Sequence, residues 1–205
     1  MKGTWDFDRD PLVALREGDP APFEAFVVDR GRAFLGFFRR LGAGSAEAED
    51  LAQEVFLKLF RNASTYEPSG RFAAFAFRVA RNAWIDRQRR RAARPRPFGA
   101  GRERQGEERP GPAPEPPSRG ADPSERAERR EEAARVRSAL RRLPEHQRLV
   151  FELGVVQELS YREIASLLEI PEGTVKSRMF HAVRKLRELL AGREVPGGGA
   201  PGGGS

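Results

Sequence analysis

The sequence predicts an all-α protein of two small helical domains, an N-terminal helical bundle and a C-terminal helix-turn-helix domain, joined by a disordered Pro/Arg-rich linker. Apolar residues recur with helical periodicity, and no stretch sustains the period-two alternation of a strand. Residues 92–123 hold 8 of the 16 prolines, five glycines and a single large apolar side chain, Phe98. Such a segment cannot bury enough surface to offset its ordering entropy, so we expect a linker there.

These features divide the chain into four parts. The first domain spans residues 1–91, the flexible linker spans 92–123 and the second domain spans 124–191. Residues 192–205 form a Gly/Pro tail that we expect to be flexible.

The first domain is expected to begin with two helices of different length. Asp10 is a good N-cap and Pro11 suits a first helical position, so a short helix should run from there to about Gly18. A longer, phenylalanine-rich helix begins at the next prolines and ends at the glycine turn of residues 42–44. Ser45 can cap the helix that follows.

Two further helices complete this domain. The helix after Ser45 carries a broad apolar stripe of Ala48, Leu51, Val55, Phe56 and Leu59. A loop rich in turn formers follows at residues 62–70. The next helix spans residues 71–91, and we expect its core side to contain Phe72, Phe75, Val79 and Ala83.

The second domain is expected to contain four helices, at about residues 124–143, 145–156, 160–168 and 172–191. Ser160 and Glu163 form a capping box at the start of the third. Residues 169–173 hold the breakers that redirect the chain into the last helix. We expect that helix to bury Val175, Met179, Ala182, Val183, Leu186 and Leu190.

Composition excludes several classes of protein. No apolar run approaches the ~20 residues that a membrane-spanning helix needs. The acidic N-terminus lacks the apolar core of a signal peptide. With no cysteine, disulfides and thiolate metal sites are excluded, and a cytoplasmic location is the natural expectation.

Charge is unevenly distributed along the chain. Residues 1–60 carry a net charge of −3, whereas residues 61–94 hold nine basic and two acidic side chains, a net charge of +7. An acidic segment followed by a basic one indicates two faces for two partners, of which the basic face suits a polyanion. The alternative is a solvated arginine-rich surface.

The last helix has the features of a DNA recognition helix. Polar and basic side chains lie opposite its apolar stripe, namely Thr174, Lys176, Ser177, Arg178, His181, Arg184 and Lys185. Those on the first two turns can read base edges in a major groove, while those further along would bind phosphate. The alternative is a helical hairpin with an ordinary charged face.

Acidic and amide side chains cluster one turn apart on the helix after Ser45. They are Glu49, Asp50, Gln53 and Glu54. We favour a protein-binding face over plain solvation. A divalent metal is the least favoured alternative, because no His or Asp nearby completes a ligand set.

The basic helix carries a polar stripe opposite its apolar one, made of Arg71, Arg78, Arg81, Asn82, Ile85 and Gln88. Phe77 and Trp84 flank this stripe, and aromatics interleaved with arginine suit single-stranded nucleic acid. The preceding loop, residues 62–69 with Tyr66, could form a pocket for an unstacked base. The alternative places Phe72, Phe75 and Trp84 in the core, and for these aromatics it is the stronger one.

In combination these motifs resemble a bacterial RNA polymerase sigma factor of the sigma-70 family, of the short extracytoplasmic-function (ECF) type that has only regions 2 and 4. The resemblance rests on AEDLAQEVF at residues 48–56, on Phe72, Arg81, Asn82 and Asp86, and on Leu-Pro-Glu at residues 143–145 before the helix-turn-helix. It covers about residues 10–91 and 124–191.

The resemblance implies a transcription initiation factor that binds core RNA polymerase and directs it to promoter DNA. The acidic cluster would bind the clamp of the largest subunit, and the linker would run toward the RNA exit path. The flap of the second subunit is a further implied contact. An anti-sigma factor is a further implied partner. No catalytic residue, cofactor, metal, membrane or small-molecule substrate is implied.

The resemblance also assigns DNA contacts. The melted minus-ten element would be captured by the loop and the basic helix, through Asn62, Ser64, Tyr66, Arg71, Arg78, Arg81, Asn82 and Arg87. The duplex minus-thirty-five element would be read by Lys176, Ser177, Phe180 and His181, with Thr174, Arg178, Arg184 and Lys185 alongside. Glu169 replaces a more usual glycine or small polar residue, and His181 a more usual arginine, so promoter specificity cannot be transferred from relatives.

Two other functions compete. Residues 160–179 also fit a helix-turn-helix activator of the response-regulator output type, which would dimerise on duplex DNA. The N-terminal half argues against this, because it shows neither a ligand pocket nor a phospho-acceptor sheet. A nucleic-acid-cleaving enzyme lacks a coherent metal or nucleophile set.

Overall fold

The computed structural model describes residue 7 and residues 9–68, 71–93 and 123–192, with side chains from residue 127 onward in the last range. Within these ranges the fold is all-α and contains no strand, which confirms the predicted class. Most of the predicted linker and nearly all of the tail lie outside the described residues. None of the helices in these ranges has the length and apolarity required to span a bilayer.

Four helices form the N-terminal bundle: α1 Pro11–Arg16, α2 Ala21–Leu41, α3 Ser45–Arg61 and α4 Phe72–Ala93. A short 3₁₀ turn, Ala63–Thr65, follows α3. The predicted N-cap of α1 is confirmed, since the Asp10 carboxylate accepts hydrogen bonds from the backbone N–H groups of Leu12 and Val13. Helix α2 ends at Gly42, whose φ of 112° lies in the left-handed region that glycine adopts without a Cβ penalty.

The predicted Ser45 cap is wrong by one position. Gly44 is the N-cap of α3, and Ser45 is the first helical residue. The Ser45 hydroxyl instead accepts a hydrogen bond from the Arg39 guanidinium at 2.6 Å. It therefore ties α3 to the end of α2 and does not close the helix.

Phenylalanine dominates the core of this bundle. Phe26, Phe34 and Phe77 are fully buried, and the Phe34 and Phe77 rings stack with centroids 5.0 Å apart. Trp84 is 3% exposed and contacts Phe38, with ring centroids 6.5 Å apart. Phe77 and Trp84 therefore do not flank the polar stripe as stacking platforms, and the favoured alternative that placed Trp84 in the core is confirmed.

The buried side of α4 also differs from the prediction. Its most buried members are small or aromatic residues, namely Phe72, Ala73, Ala76, Phe77, Ala80, Ala83 and Trp84. Phe75 and Val79 are only half-buried. Four alanines on this side let α4 pack closely against its neighbours.

The C-terminal domain contains α5 Pro123–Arg141, α6 Glu145–Phe151, α7 Tyr161–Leu168 and α8 Glu172–Leu190, and α6 continues as a π-helical turn at Glu152–Val156.

The predicted Ser160–Glu163 capping box at the start of α7 is confirmed in both directions. Val175, Met179, Ala182 and Leu186 are buried as predicted, and Val183 is half-buried. Leu190, predicted to be buried, is half exposed because it is the last residue of α8.

The two domains pack against each other. Helix α4 contacts α7, and α2 contacts both α5 and α6. Buried apolar side chains from both domains form one continuous cluster, which includes Phe77, Val150 and Ile164. Polar contacts also cross this boundary; the indole N–H of Trp84, for example, donates to the Glu145 carboxylate at 2.8 Å.

Candidate functional site

The acidic surface consists of Glu49, Asp50, Gln53 and Glu54 on α3. Because these positions are three and four residues apart, helix geometry places them on one side, opposite the buried stripe. The side chains of Glu49 and Asp50 are 57% and 72% exposed. Glu54 pairs with Lys58 at 2.7 Å one turn later. The carboxylates of Glu49 and Asp50 therefore remain open to solvent.

Leu57 lies on the same side, one turn after Gln53 and Glu54, and is 53% exposed. This exposed leucine was not predicted, although its position outside the apolar stripe indicates that it faces solvent. An exposed leucine beside carboxylates and an amide is typical of a protein-binding patch. The described part of the chain shows no group of three or more acidic or histidine side chains arranged to hold a metal.

The basic surface lies on α4, which carries six arginines and one acidic residue, and on Arg71 directly before it. Arg71, Arg78 and Asn82 are exposed on one side of the helix. The Arg78 guanidinium lies 5.4 Å from the Phe75 ring centroid, a cation–π contact that holds it at the surface. Arg81 is half-buried beside them.

Arg87 lies further along α4, where it faces α3. Its Nε donates to Glu47 Oε1 at 3.0 Å, and its Nη2 lies 3.7 Å from Asp50 Oδ2. Arg87 thus bridges the basic helix to the acidic surface. Its predicted DNA contact would require its ion pairs with Glu47 and Asp50 to break.

The loop after α3 supplies the other predicted minus-ten residues. Asn62 and Ser64 are exposed. Tyr66 is 5% exposed, and its hydroxyl donates to Asp10 Oδ2 at 2.8 Å. Burial, together with this hydrogen bond and the nearby Asp10 charge, raises the pKa of the Tyr66 hydroxyl. That hydroxyl is therefore not free to contact a base. Tyr66 instead links the loop to Asp10, at the start of α1.

A cavity of about 470 Å³ lies between α4 and α7. Its walls come from both domains and include Tyr66, Arg71 and Arg78 on one side and Arg162 and Ser166 on the other. Arg71 also lies 3.6 Å from Glu163 across the boundary. Part of the basic surface thus faces the first helix of the helix-turn-helix.

The turn of the helix-turn-helix explains one departure noted in the sequence. Glu169 has a φ of 56°, in the left-handed region where glycine is the unstrained residue. The backbone N–H of Ile170 bonds to the Ala165 carbonyl and closes the end of α7. Glu169 therefore occupies a glycine-type position and keeps the turn.

The recognition face of α8 is open to solvent. Lys176, Ser177, Phe180, His181 and Arg184 are exposed. Half-buried residues flank this face, namely Thr174, Arg178 and Lys185. The Phe180 ring lies between two of the exposed residues, 5.5 Å from the His181 ring and 5.9 Å from the Arg184 guanidinium carbon.

A capped helix, a tight turn and an exposed basic second helix are the parts of a helix-turn-helix, so the fold and this face define a helix-turn-helix protein of the DNA-binding class. The family model "Sigma-70 region 2" matches residues 26–94, and the model "Sigma-70, region 4" matches residues 133–186. The chain is a member of the sigma-70 family, of the ECF type, and such a factor directs RNA polymerase to promoters.

Relatives match along nearly the whole chain. The ECF RNA polymerase sigma factor RpoE of Cereibacter sphaeroides is 32% identical over 193 residues, which cover 90% of this chain and 97% of that protein. CarQ, an RNA polymerase sigma factor of Myxococcus xanthus, is 32% identical over 185 residues, which cover 90% and 98%.

Solved structures match as well. RpoE of Bartonella quintana, crystallised with the anti-sigma factor NepR, has a TM-score of 0.61 at 25% identity, covering 82% of this chain and 96% of that one. CnrH in complex with the cytosolic domain of CnrY has a TM-score of 0.62 at 24% identity, covering 90% and 99%. The latter likeness concerns the fold.

Proposed function

We propose that this sigma factor binds core RNA polymerase through the acidic surface of α3. The observation that carries the proposal is the exposure of Glu49, Asp50 and Gln53 on one side of a helix whose opposite side is buried. Leu57 supplies an apolar centre for the contact. By the family resemblance the partner is the clamp of the largest subunit, with the flap of the second subunit contacted elsewhere.

The test is complex formation with core polymerase on a size-exclusion column. The wild-type chain should co-elute stoichiometrically, whereas the double variant Asp50→Lys and Glu54→Lys should not. Asp29→Lys reverses an exposed charge on α2 and serves as the control. Co-elution of the double variant at wild-type affinity would refute the assignment.

We further propose that α8 reads the minus-thirty-five element as duplex. Lys176, Ser177 and His181 are exposed on its first turns, where recognition helices meet base edges. Alanine at Lys176 or His181 should cost ~1–3 kcal/mol of binding if either reads a base. An equal loss on scrambled upstream DNA would indicate a phosphate contact instead.

The minus-ten element is proposed to be captured as a melted single strand by the basic surface of α4 and by the loop with Asn62 and Ser64. Arg78 and Asn82 are exposed there. Substituting either should weaken promoter melting more than upstream duplex binding. Permanganate footprints of unchanged strength in these variants would contradict the proposal.

An anti-sigma factor is proposed as the regulatory partner, because the relative from Bartonella quintana was crystallised with one.

The competing activator function makes a different prediction, a homodimer on duplex DNA. Light scattering of the chain on promoter duplex, with and without core polymerase, distinguishes a sigma factor from such an activator.

A further inference from the structure

An ion pair between a buried carboxylate and a half-buried arginine joins the two domains. Glu152, in the π-helical turn after α6, is 1% exposed. Its carboxylate accepts two hydrogen bonds from Arg40 of α2, with Nε–Oε2 at 2.5 Å and Nη2–Oε1 at 2.6 Å. Gln157 donates a third at 2.9 Å. The arrangement is bidentate, which is the strongest geometry an arginine and a carboxylate can form.

A second arginine crosses the same boundary in the opposite direction. Arg148 of α6 donates to the backbone carbonyls of Arg40 and Leu41 at 3.3 and 3.2 Å. These carbonyls lie in the last turn of α2, where helix carbonyls lack intrahelical partners and attract cations. The end of α2 is thus contacted twice by the C-terminal domain.

The local backbone makes room for this pair. A Cβ built on Gly36 would lie 2.8 Å from Arg40 Nη1, closer than such atoms approach. The crowding falls on the flexible end of Arg40, so a side chain at position 36 would require the guanidinium to shift.

The packed arrangement is incompatible with promoter binding as proposed above. The minus-ten and minus-thirty-five elements lie about 25 base pairs apart, roughly 85 Å along B-DNA at 3.4 Å per pair. In the structure α4 and α7 are in contact, and Arg71 lies 3.6 Å from Glu163. The basic surface of α4 and the recognition helix α8 must therefore separate before both DNA elements can be bound.

We propose that the Arg40–Glu152 pair is an interdomain latch that holds the free sigma factor closed, with part of its minus-ten-reading surface turned against the helix-turn-helix. In the closed form Arg71 and Arg78 line the cavity between α4 and α7, and the consequence of opening for DNA rests on the proposed function.

A bidentate pair with a buried carboxylate suits a reversible latch. Desolvating both charges offsets most of their attraction, so the net stabilisation is small when both leave together and regain water. Removing one partner alone leaves a buried unpaired charge, which strongly disfavours the closed state. The latch can therefore open as a unit when polymerase binds, yet a single substitution should release it.

The test measures the distance between the domains in the free chain. Because the chain has no cysteine, spin labels can be placed at Glu67→Cys and Ser166→Cys. Glu67 adjoins Tyr66, and Ser166 lines the same cavity as Tyr66. The wild-type background should give a narrow distribution of short distances. Arg40→Ala should shift the closed-to-open ratio toward open by about tenfold or more.

The neighbouring arginine provides a matched control. Arg39 pairs with Ser45 and Glu49 within its own domain, so Arg39→Ala should keep the short distance. The charge exchange Arg40→Glu with Glu152→Arg should restore closure if the pair acts directly. Long distances in the wild-type background, or a short distance in Arg40→Ala, would overturn the latch.

A second measurement separates the latch from the proposed function. Binding of the unlabelled chain to a short fluorescent single-stranded DNA of random sequence should tighten about tenfold in Arg40→Ala. If the distances shift but neither protein binds the DNA, the latch stands and the minus-ten assignment fails. If the distances do not shift, the latch fails whatever the DNA shows.

Discussion

Replacing Leu57 by alanine should weaken binding to core polymerase without unfolding the chain. Leu57 is 53% exposed on the side of α3 that carries Asp50 and Gln53. Alanine has the highest helix propensity, and a surface substitution away from the core usually changes stability by less than ~0.5 kcal/mol. The variant should therefore remain folded and differ only at the surface.

The size of the effect follows from the exposed fraction. Full burial of a leucine side chain contributes about 1.5–3 kcal/mol. Since about half of Leu57 is already covered within α3, a partner can bury the other half, and its loss should cost about 1 kcal/mol. That corresponds to a roughly fivefold rise in Kd. Leu57→Asp should cost more, because it adds a charge to an apolar contact.

The assay is fluorescence anisotropy of the labelled chain titrated with core polymerase, with urea unfolding of each variant alongside. Val28→Ala removes another exposed apolar side chain, 79% exposed on α2, and is the matched control. The reasoning is refuted if Leu57→Asp binds as tightly as the wild type, or if Val28→Ala loses as much affinity as Leu57→Ala.

Three further predictions concern stability. Phe34→Ala removes a fully buried ring and should cost about 3–5 kcal/mol in urea unfolding, whereas Phe60→Ala, 55% exposed, should cost far less. Ser160→Ala breaks the capping box of α7 and should cost about 1 kcal/mol; an unchanged unfolding midpoint would contradict the cap. The pKa of Tyr66 is raised above its ordinary value of 10.0, so the folded state keeps a proton that the unfolded state loses, and stability should fall as pH rises above about 10. Tyr66→Phe should remove that part of the slope, while Tyr161→Phe should retain it.

Periodicity and caps were sufficient to predict the helices. Asp10 and Ser160 cap as expected, because side-chain capping depends on residues only two or three positions away. Ser45 failed because Gly44 can also adopt the extended N-cap conformation, and Ser45 found a tertiary partner in Arg39. Local chemistry alone does not decide between two adjacent capping residues.

The sides of α4 were harder to predict. Its sequence offers aromatics on several sides, and burial is decided by which neighbouring helices pack there. Phe77 stacks on Phe34 from a helix some 40 positions earlier, a contact that no local pattern reveals. Tyr66 was assigned to a base pocket because the sequence around it does not show its hydrogen-bond partner. That partner, Asp10, lies 56 positions away.

The recognition face of α8 was predicted more completely, since the whole helix-turn-helix is local in sequence. All five exposed members of that face were named from the sequence, and the unusual Glu169 holds the turn in the conformation expected of glycine. The packing of the two domains against each other was not predicted, because its contacts join residues far apart in the sequence. Trp84 and Glu145 are 61 positions apart, and Arg40 and Glu152 are 112 positions apart.

Because of the crowding at Gly36, the interdomain contact can be examined by comparing the residues at these positions among related sequences. A Cβ at position 36 would require the Arg40 guanidinium to shift from the place where it binds Glu152. Gly36 and Arg40, one turn apart on α2, should therefore vary together with the distant Glu152 among related sigma factors. A relative with a larger side chain at the position of Gly36 should also lack the arginine or the carboxylate, and its free form should rest with the domains apart.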